Sequence, residues 1–451
     1  MPVPRRSLQG EWPGLFTFVF AMAGASIGLG SLWRFPALVE AHGGGVFLLA
    51  YAACVLLLAL PLLLAEMVVG RAGRQNVVNS YGDLAQLHGQ SDHWAWVGRL
   101  MLFSGLALLL VLMVFGGWAM GYVFRATTGA LGQLDAIDAA ALLRGLQGDV
   151  ERSLLWVTVF AATAVAVVSQ GLSRGLVPGM LVLAMLLFTG LVLLVLLGPG
   201  AESGQFAFLL QMDYSQLTRE AWLAALRHAF YTLAVGTGVV VTLTAYLPDR
   251  VSVVQAGLLV LVADLIAALL GTAVVLSLLQ QAGLPVVTGP TLVFQVLPVA
   301  IGGLGNSMLL GTLFYLVLAV VALSSGVAIL EAATVAVVER HGVRRGQAAI
   351  SIGLMMWFLA LLLVLSQAMG WDVPGGASAL DVVNLVAARL LLPLSALLAV
   401  LYAGWLLSSE TVRFSLGYPA GWGFHLWYGL LRWCAPVLVL LVIAANLGLL
   451  D

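Results

Sequence analysis

Long apolar segments separated by short polar ones dominate the pattern of the chain. A helix needs about 20 apolar residues to cross a bilayer, and segments of this length recur from one end of the sequence to the other. They are rich in Leu, Val and Ala and lack the polar and apolar alternation of a membrane β-barrel. The pattern therefore predicts an all-α polytopic membrane protein. The eleven predicted spans cover residues 13–40, 45–70, 95–127, 152–170, 175–198, 221–247, 252–282, 308–339, 347–369, 378–407 and 423–449.

The first span is interrupted by small and polar residues between Ala21 and Pro36. Clustered Gly and Ser lower helix propensity, and backbone groups freed inside a bilayer must line an enclosed or watered cavity. Freed carbonyls suit a cation and freed amides suit an anion. We therefore expect a binding site at this interruption, which contains Gly24, Ser26, Gly28, Gly30, Ser31 and Arg34.

The sixth span repeats this interruption five helices later. In residues 229–238, Gly236 and Gly238 follow the polar Thr232. Two broken helices in corresponding positions indicate an inverted-repeat transporter with its site between them; the alternative is that the glycines only allow close helix packing. The chain is thus predicted to form one domain, 1–451, with five-helix repeats over 12–200 and 218–410 and an additional helix in 411–451.

Composition supports membrane integration and excludes several classes of protein. Hydrophobic residues make up 62% of the chain and charged residues only 9%, against about 25% charged in soluble proteins. The net charge of -1 gives no basic surface for nucleic acid, and no HExxH, GxSxG or paired Cys/His cluster indicates an enzyme. Cys54 and Cys434 lie in apolar segments and imply no disulfide.

The arginines predict how the helices are oriented, because positive charge concentrates in cytoplasmic loops. The chain has no Lys, and more arginines fall on the predicted inner side than on the outer side. This places the amino terminus in the cytoplasm and, after eleven spans, the carboxyl terminus outside. The inner arginines are Arg5, Arg6, Arg71, Arg74, Arg99, Arg174, Arg250, Arg340, Arg344, Arg345 and Arg413; the outer ones are Arg125, Arg144, Arg152, Arg219 and Arg227.

Two connections are long enough to form structure of their own. They are residues 128–151 and 283–306. The second is predicted to be either a short helical hairpin folded over the outer face or a loop that only caps the bundle.

Six motifs, in order, resemble the neurotransmitter:sodium symporter family, which includes the bacterial leucine transporter. They span nearly the whole chain, and such an ordered set is far more specific than any one motif. The motifs are EWPGLFTFVFAMAGASIGLGSLWRFP from residue 11, GGGVF at 43–47, PLLLAEMVVGR at 61–71, GWAMGY at 117–122, FYTLAVGTG in the sixth span and LSSGVAILE in the eighth.

The resemblance implies a sodium-coupled symporter that imports a small amino acid or a related amine across a bacterial inner membrane by alternating access. It implies Na⁺ at two sites as the coupling ion and leaves the oligomeric state open. One sodium site would consist of Gly24, Ile27, Val321, Ser324 and Ser325. The alternative for the two serines is that their hydroxyls bond back to their own helix.

The other implied sodium site would consist of Ser26, Ser31, Thr232 and Asp264. The family's leucine transporter has Asn at the positions of Ser31 and Asp264. A buried acid is costly unless a cation accompanies it, which favours a functional role for Asp264. Its fixed negative charge could replace bound chloride, so we expect transport without a chloride requirement.

The resemblance also implies a substrate pocket between the two interruptions. Leu112 stands where amino-acid transporting relatives have a Tyr that holds the substrate carboxylate, and leucine cannot donate a hydrogen bond. We expect that the Tyr231 hydroxyl compensates from the opposite wall. The implied pocket residues are Ala25, Gly28, Leu29, Gly30, Leu108, Leu112, Tyr231, Thr232, Ala234, Thr237, Ser325 and Ile329.

Gates are implied on both sides of this pocket. Outside, Arg34 would hydrogen-bond the neutral Asn384 instead of an acid, next to His228. Inside, Trp12, Tyr246 and Glu339 match the cytoplasmic latch, while Gln9 replaces its Arg and Arg5 or Arg6 could substitute. Glu66 is expected to cap amides freed in the sixth span, Glu331 stands at a Gln position, and Arg389 has no assigned role.

Two other functions remain open at this point. Leu112 also allows a sodium symporter for an organic solute that is not an amino acid. A transporter-like sensor would bind its ligand without moving it. Small-molecule binding and a lipid bilayer are common to all of these functions, and none involves nucleic acid.

Overall fold

The computed structural model describes residues 7–199, 209–210, 212–373, 376–417 and 421–450, and these are overwhelmingly α-helical. In the described residues, nine helical segments are long and apolar enough to cross a membrane unbroken. Each coincides with a predicted span to within several residues. They are Gly45–Gly73, Asp92–Thr127, Val150–Ser169, Leu172–Leu197, Val253–Ala282, Ser307–His341, Arg345–Ala368, Ala379–Leu406 and Trp422–Asn446.

The remaining two spans are broken, as the sequence predicts. Span 1 consists of Leu15–Ser26 followed by Gly30–Trp33 and Phe35–Ala41, and its two halves differ in direction by 57°. Span 6 consists of Arg219–Tyr231 and Val239–Ala245, with residues 232–238 outside any helix. Spans 2–5 and 7–11 are the nine unbroken segments in chain order. The predicted all-α architecture with discontinuous first and sixth helices is confirmed.

Span 8 lies at the centre of the bundle, and 83% of the residues in its most apolar stretch are buried. It packs on span 3 along its length and also on spans 1, 4, 5 and 9. Spans 4 and 11 expose most of their apolar surface at the periphery, with only 28% buried. Lipid covers such a surface without cost. Span 8 is therefore the central helix, and it packs on the first half of span 1 and the second half of span 6.

Six wide π-helical turns occur within or next to the described spans, and five of them are followed, after one residue, by a proline. Proline lacks the N–H that would bond the carbonyl four residues earlier, and its ring clashes with that carbonyl. Three of the freed carbonyls accept a side-chain hydrogen bond instead. Phe294, four residues before Pro298, accepts from the Tyr122 hydroxyl at 2.8 Å; Arg389 accepts from Asn446 at 3.4 Å and Arg432 from Trp405 at 3.3 Å.

We call the end of the bundle where span 1 begins the amino-terminal face and the other end the opposite face. Helix Val77–Leu87 and helix Ser409–Leu416 cover the amino-terminal face. The opposite face has helix Ala136–Gly148 and the two-stranded antiparallel pair Asp372–Val373 with Ala377–Ser378.

The connection 283–306 also lies on the opposite face and contains a single helical segment, Leu292–Gly302. It is therefore neither the predicted hairpin nor an unstructured cap. The Gly289 amide donates to the Trp33 carbonyl at 3.0 Å, which joins this segment to the second half of span 1.

Candidate functional site

The break in span 1 meets span 8 through a serine hydroxyl. The helix ends at Ser26 because Ile27 adopts an extended backbone, with ψ 109°. The Ser325 hydroxyl donates to the Ala25 carbonyl at 3.1 Å and also lies 3.5 Å from the Ile27 carbonyl. Main-chain oxygens released by the break thus face a hydroxyl of span 8.

Ser324 behaves differently from its neighbour. Its hydroxyl donates to the Val320 carbonyl of its own helix at 2.8 Å, as the structural alternative for these serines predicts. It nevertheless faces span 1, since a Cβ at Gly24 would lie 3.7 Å from its oxygen. Val321 is buried one turn before Ser325. The five residues implied as one sodium site therefore lie along a single contact between spans 1 and 8.

A second group of oxygens connects spans 6 and 7. The Thr232 hydroxyl donates to Asp264 at 2.5 Å, and the Asp264 carboxylate is fully buried. Its other oxygen and the Ser26 hydroxyl are buried without a hydrogen-bond partner among the described residues. Oxygen ligands of this kind suit a hard monovalent cation. The oxygens of Thr232, Asp264 and Ser26 therefore fit Na⁺ as a transported ion.

Ser31 begins the second half of span 1 and lies against the same helix as Asp264. A Cβ at Gly271 would come within 3.4 Å of the Ser31 carbonyl and 2.7 Å of the Leu32 side chain. Gly271 and Asp264 are seven residues apart and share a face of span 7. No direct bond joins Ser26 or Ser31 to Thr232 or Asp264 in the described part of the chain, and the structure brings them only to adjoining elements.

The break in span 6 is built from left-handed backbone. Leu233, Ala234, Gly236 and Gly238 have φ values of 67°, 52°, 83° and 79°. This conformation is unfavourable for Leu and Ala, and strain of this kind concentrates at functional sites. The Thr237 hydroxyl stabilises the turn by donating to the Ala234 carbonyl at 2.6 Å.

A buried acid supports this break from span 2. Glu66 is completely buried and accepts a hydrogen bond from the Gly236 amide at 2.7 Å, which is the capping role expected for it. Gly236 also has no room for a side chain, because a Cβ there would lie 2.8 Å from the Leu392 carbonyl of span 10.

Spans 3, 6 and 8 converge on the space between the two breaks. A Cβ at Gly105 would lie 2.7 Å from the Thr237 carbonyl and 3.3 Å from the Ile329 side chain. Leu108 and Leu112 follow on the same span, one and two turns later, and Leu112 is buried. Leu108 and Leu112 thus share a face of span 3 with Gly105, which contacts the break in span 6, whereas Ala25, Gly28, Leu29 and Gly30 lie at the break in span 1.

Tyr231 does not take the role expected from the sequence. Its hydroxyl donates to the Ala388 carbonyl at 3.1 Å and accepts from Asn446 at 2.7 Å. A phenol has one proton to donate, and Tyr231 of span 6 donates it to span 10, while the same oxygen accepts from Asn446 of span 11. In this conformation Tyr231 therefore does not compensate for Leu112.

The predicted outer gate also differs. The Arg34 guanidinium lies over the Tyr231 ring, 5.6 Å from its centroid. The expected hydrogen bond to Asn384 is absent from the described residues, and Asn384 is exposed. His228 is buried and stacks on Phe35 with ring centroids 4.6 Å apart; it packs in the core and does not face an open vestibule.

The amino-terminal face carries a closed latch that includes the predicted residues. Trp12 is buried and donates from its amide to the Tyr246 carbonyl at 2.9 Å and from its ring to the Leu243 carbonyl at 2.8 Å. Glu339 accepts from the Asn76 amide at 2.8 Å and from the Gln9 side chain at 3.3 Å.

Sequence reasoning missed the cation of this latch. Arg345, at the start of span 9, pairs with the fully buried Glu331 and donates to the Gln9 side chain at 3.0 Å. The Tyr246 hydroxyl donates to the same Glu331 at 2.9 Å. A buried Glu requires a cation nearby, and that requirement was the available signal. Arg5 and Arg6, the expected substitutes, lie outside the described residues.

Comparison with known proteins agrees with this geometry. A family model for the sodium:neurotransmitter symporter family matches residues 9–135 and 147–449. The chain belongs to this family. The resemblance read from the six motifs is thereby confirmed, and the chain is a sodium-dependent transporter of the symporter family.

Similar members of the symporter family come from bacteria. An uncharacterized sodium-dependent transporter of Bacillus subtilis, YhdH, is 29% identical over 98% of each chain. One of Haemophilus influenzae is 27% identical over 97% of this chain and 98% of its own. The crystal structure of MhsT in complex with L-phenylalanine superposes with a TM-score of 0.83 at 28% identity, covering 97% of this chain and 99% of MhsT.

Proposed function

We propose that this protein imports a small amino acid, or an amine resembling one, together with sodium by alternating access. The observation that carries the proposal is the contact of the two broken helices with spans 7 and 8. Ser325 binds the carbonyls freed in span 1, and Thr232 binds Asp264 beside the break in span 6. A cation held by both helices at either contact would couple their relative motion.

Two sodium ions are proposed. One would lie among Gly24, Ile27, Val321, Ser324 and Ser325, and the other among Ser26, Ser31, Thr232 and Asp264. Asp264 would supply a permanent negative charge beside the second ion, so transport would need no chloride.

The substrate would lie between the breaks, with its polar groups on the freed backbone and its apolar part against Leu108, Leu112 and Ile329. An amino acid is supported by the relative MhsT, which was crystallised with L-phenylalanine. Leu112 removes one side-chain ligand for a carboxylate, so recognition would rest on the amides near Leu29 and Gly30.

The structure would correspond to a state that is closed on the amino-terminal face. We place this face on the cytoplasmic side of the plasma membrane. Sodium and substrate shift the bundle between states only by binding one state more tightly than the other. Opening would require Trp12, Arg345 and Glu339 to leave their partners while Glu66 keeps the broken helix capped.

A thermal-shift screen tests this function. Purified protein would be heated with a panel of amino acids and amines in sodium or potassium salts. We expect at least one amino acid or amine to raise the melting temperature in sodium only, because a ligand that binds the folded state stabilises it. Stabilisation that is equal in potassium would contradict sodium coupling.

A further inference from the structure

Three arginines lie together on the opposite face, and no carboxylate among the described residues forms an ion pair with any of them. Arg34 and Arg227 are half-buried and Arg389 is exposed. The Arg34 guanidinium lies over the Tyr231 ring, 5.6 Å from its centroid, and Arg227 precedes Tyr231 by one turn of the same helix. Arg389 follows Ala388, whose carbonyl accepts from the Tyr231 hydroxyl at 3.1 Å. We call Arg34, Arg227 and Arg389 the arginine triad.

The guanidinium N–H groups of the arginine triad have no acceptor among the described residues. Across the described residues, none of the three guanidinium groups forms an ion pair within 4 Å or donates a hydrogen bond. Arg227 Nε is buried and unpartnered. The acid nearest to Arg389 on span 10, Asp381, is bound to the Ser378 hydroxyl at 2.7 Å, and Asn384 carries no charge. Like charges held together at the edge of a bilayer call for a counter-charge.

A second unpartnered group points to the same place. His228 is only 3% exposed, and both of its ring nitrogens lack a hydrogen-bond partner in the described structure. Its ring lies 3.9 Å from the position of a Cβ at Gly30, the first residue after the break in span 1. Arg34 is one turn beyond, with its amide bonded to the Gly30 carbonyl at 3.0 Å. The triad is therefore continuous with the proposed substrate site.

We propose that the arginine triad binds a carboxylate of the transported solute, and that the solute is an acidic amino acid with a second carboxylate. This inference rests on the proposed function. Guanidinium groups bind carboxylates in a bidentate manner. The two other side chains considered for binding a carboxylate do not offer a donor: Leu112 has none, and the Tyr231 hydroxyl donates to the Ala388 carbonyl. Leu108 and Leu112 would pack on the methylene groups of such a solute.

The test compares L-glutamate with its neutral isostere L-glutamine. Each would be titrated against protein in nanodiscs of zwitterionic lipid, so that no anionic headgroup competes for the triad. We expect L-glutamate to raise the melting temperature in sodium at a concentration about tenfold or more below that of L-glutamine, since one ion pair is worth roughly 1.4 kcal/mol or more here.

Variants identify the residues responsible. In Arg227→Gln/Arg389→Gln the preference for L-glutamate should disappear, and in Arg227→Lys/Arg389→Lys, which keeps the charges, it should partly return. Arg219→Gln is the matched control, because Arg219 lies on the same helix but donates to the Leu450 carbonyl. It should keep the full preference.

Several outcomes would overturn the inference. The inference is wrong if L-glutamate and L-glutamine give half-maximal stabilisation at the same concentration. It is also wrong if the preference for L-glutamate survives in Arg227→Gln/Arg389→Gln. If replacing chloride by methanesulfonate destabilises the wild type and L-glutamate adds nothing, the triad binds an inorganic anion. Sodium-dependent stabilisation by neutral amino acids alone would leave the proposed function intact, whereas no sodium-dependent stabilisation by any solute would overturn both.

Discussion

Individual polar residues explain why this bundle can hold ions in an apolar environment. Glu66 accepts a hydrogen bond from the Gly236 amide, and Asp264 accepts one from the Thr232 hydroxyl. Each carboxylate also has a second oxygen that is buried without a partner among the described residues. Unsatisfied groups inside a bilayer cost several kcal/mol each, on the order of the whole stability margin of a domain. The placement of a few side chains therefore decides whether the broken helices are tolerated.

Asp264 should control the affinity for sodium. Asp264→Ala removes a charged oxygen beside the proposed second ion, so we expect the sodium concentration for half-maximal stabilisation to rise about tenfold or more. Thr272→Val is the control, because the Thr272 hydroxyl on the same span bonds only to its own helix, at Ala268. A sodium titration that is unchanged in Asp264→Ala would show that this carboxylate is not a ligand.

Glu66 should act on stability. Glu66→Ala leaves the Gly236 amide without an acceptor in a buried site, which costs about 1–3 kcal/mol. We expect a lower melting temperature in detergent for Glu66→Ala and a value near that of the wild type for Glu66→Gln, which retains an acceptor oxygen. Equal melting temperatures for Glu66→Ala and the wild type would mean that the cap contributes nothing.

At this scale, the bond of Glu66 to an amide in the sixth break was predicted, whereas the partners of Tyr231 were not. The sequence indicated that Asp264 and Glu66 need partners, because buried acids are costly. It did not indicate that Tyr231 would bind Ala388 and Asn446, since this depends on how spans 10 and 11 meet near span 6.

Helices form the next scale, and here breaks and bends follow directly from sequence. Gly and Ser in span 1, and Gly following a Thr in span 6, predicted both discontinuous helices. The wide turns before Pro61, Pro178, Pro298, Pro393 and Pro436 follow from the missing proline donor, although the sequence analysis did not foresee them.

The shape of the sixth break should depend on one glycine. Gly236→Ala introduces a Cβ 2.8 Å from the Leu392 carbonyl at a φ of 83°, where non-glycine residues are strained. We expect this variant to lose most sodium-dependent stabilisation by its solute. Gly429→Ala, in a helix with open space around it, should behave as the wild type. Normal ligand response in Gly236→Ala would show that the break adapts.

For the molecule as a whole, one end is closed by a network that joins distant parts of the chain. The network consists of two residues before span 1, the residue that follows span 6, and residues of spans 8 and 9: Gln9, Trp12, Tyr246, Glu331, Glu339 and Arg345. The structure brings Trp12, Tyr246 and Glu339 to this end of the bundle, and their role as a latch stays a prediction. Its cation could not be placed from sequence, because Arg345 reaches Glu331 only through the packing of spans 8 and 9.

Arg345 should set how often the amino-terminal face opens. Arg345→Met with Glu331→Leu removes the pair without leaving a buried charge, which would itself cost about 3–5 kcal/mol. Spin labels at Glu11 and His341, both exposed, should then show longer and broader distances in sodium. Labels in Arg340→Met, an exposed control, should show the wild-type distribution. An identical distribution in the Arg345/Glu331 variant would mean that the pair does not hold this face closed.

The most direct test of the account is coupled flux in proteoliposomes. An inward sodium gradient is imposed, and entry of radioactive sodium is measured together with entry of the solute that gives the largest thermal shift. The account predicts that each flux depends on the other, and that Ser325→Ala with Thr232→Val reduces both to the level of empty vesicles. Solute entry that continues without sodium, or coupled entry that persists in this variant, would contradict it.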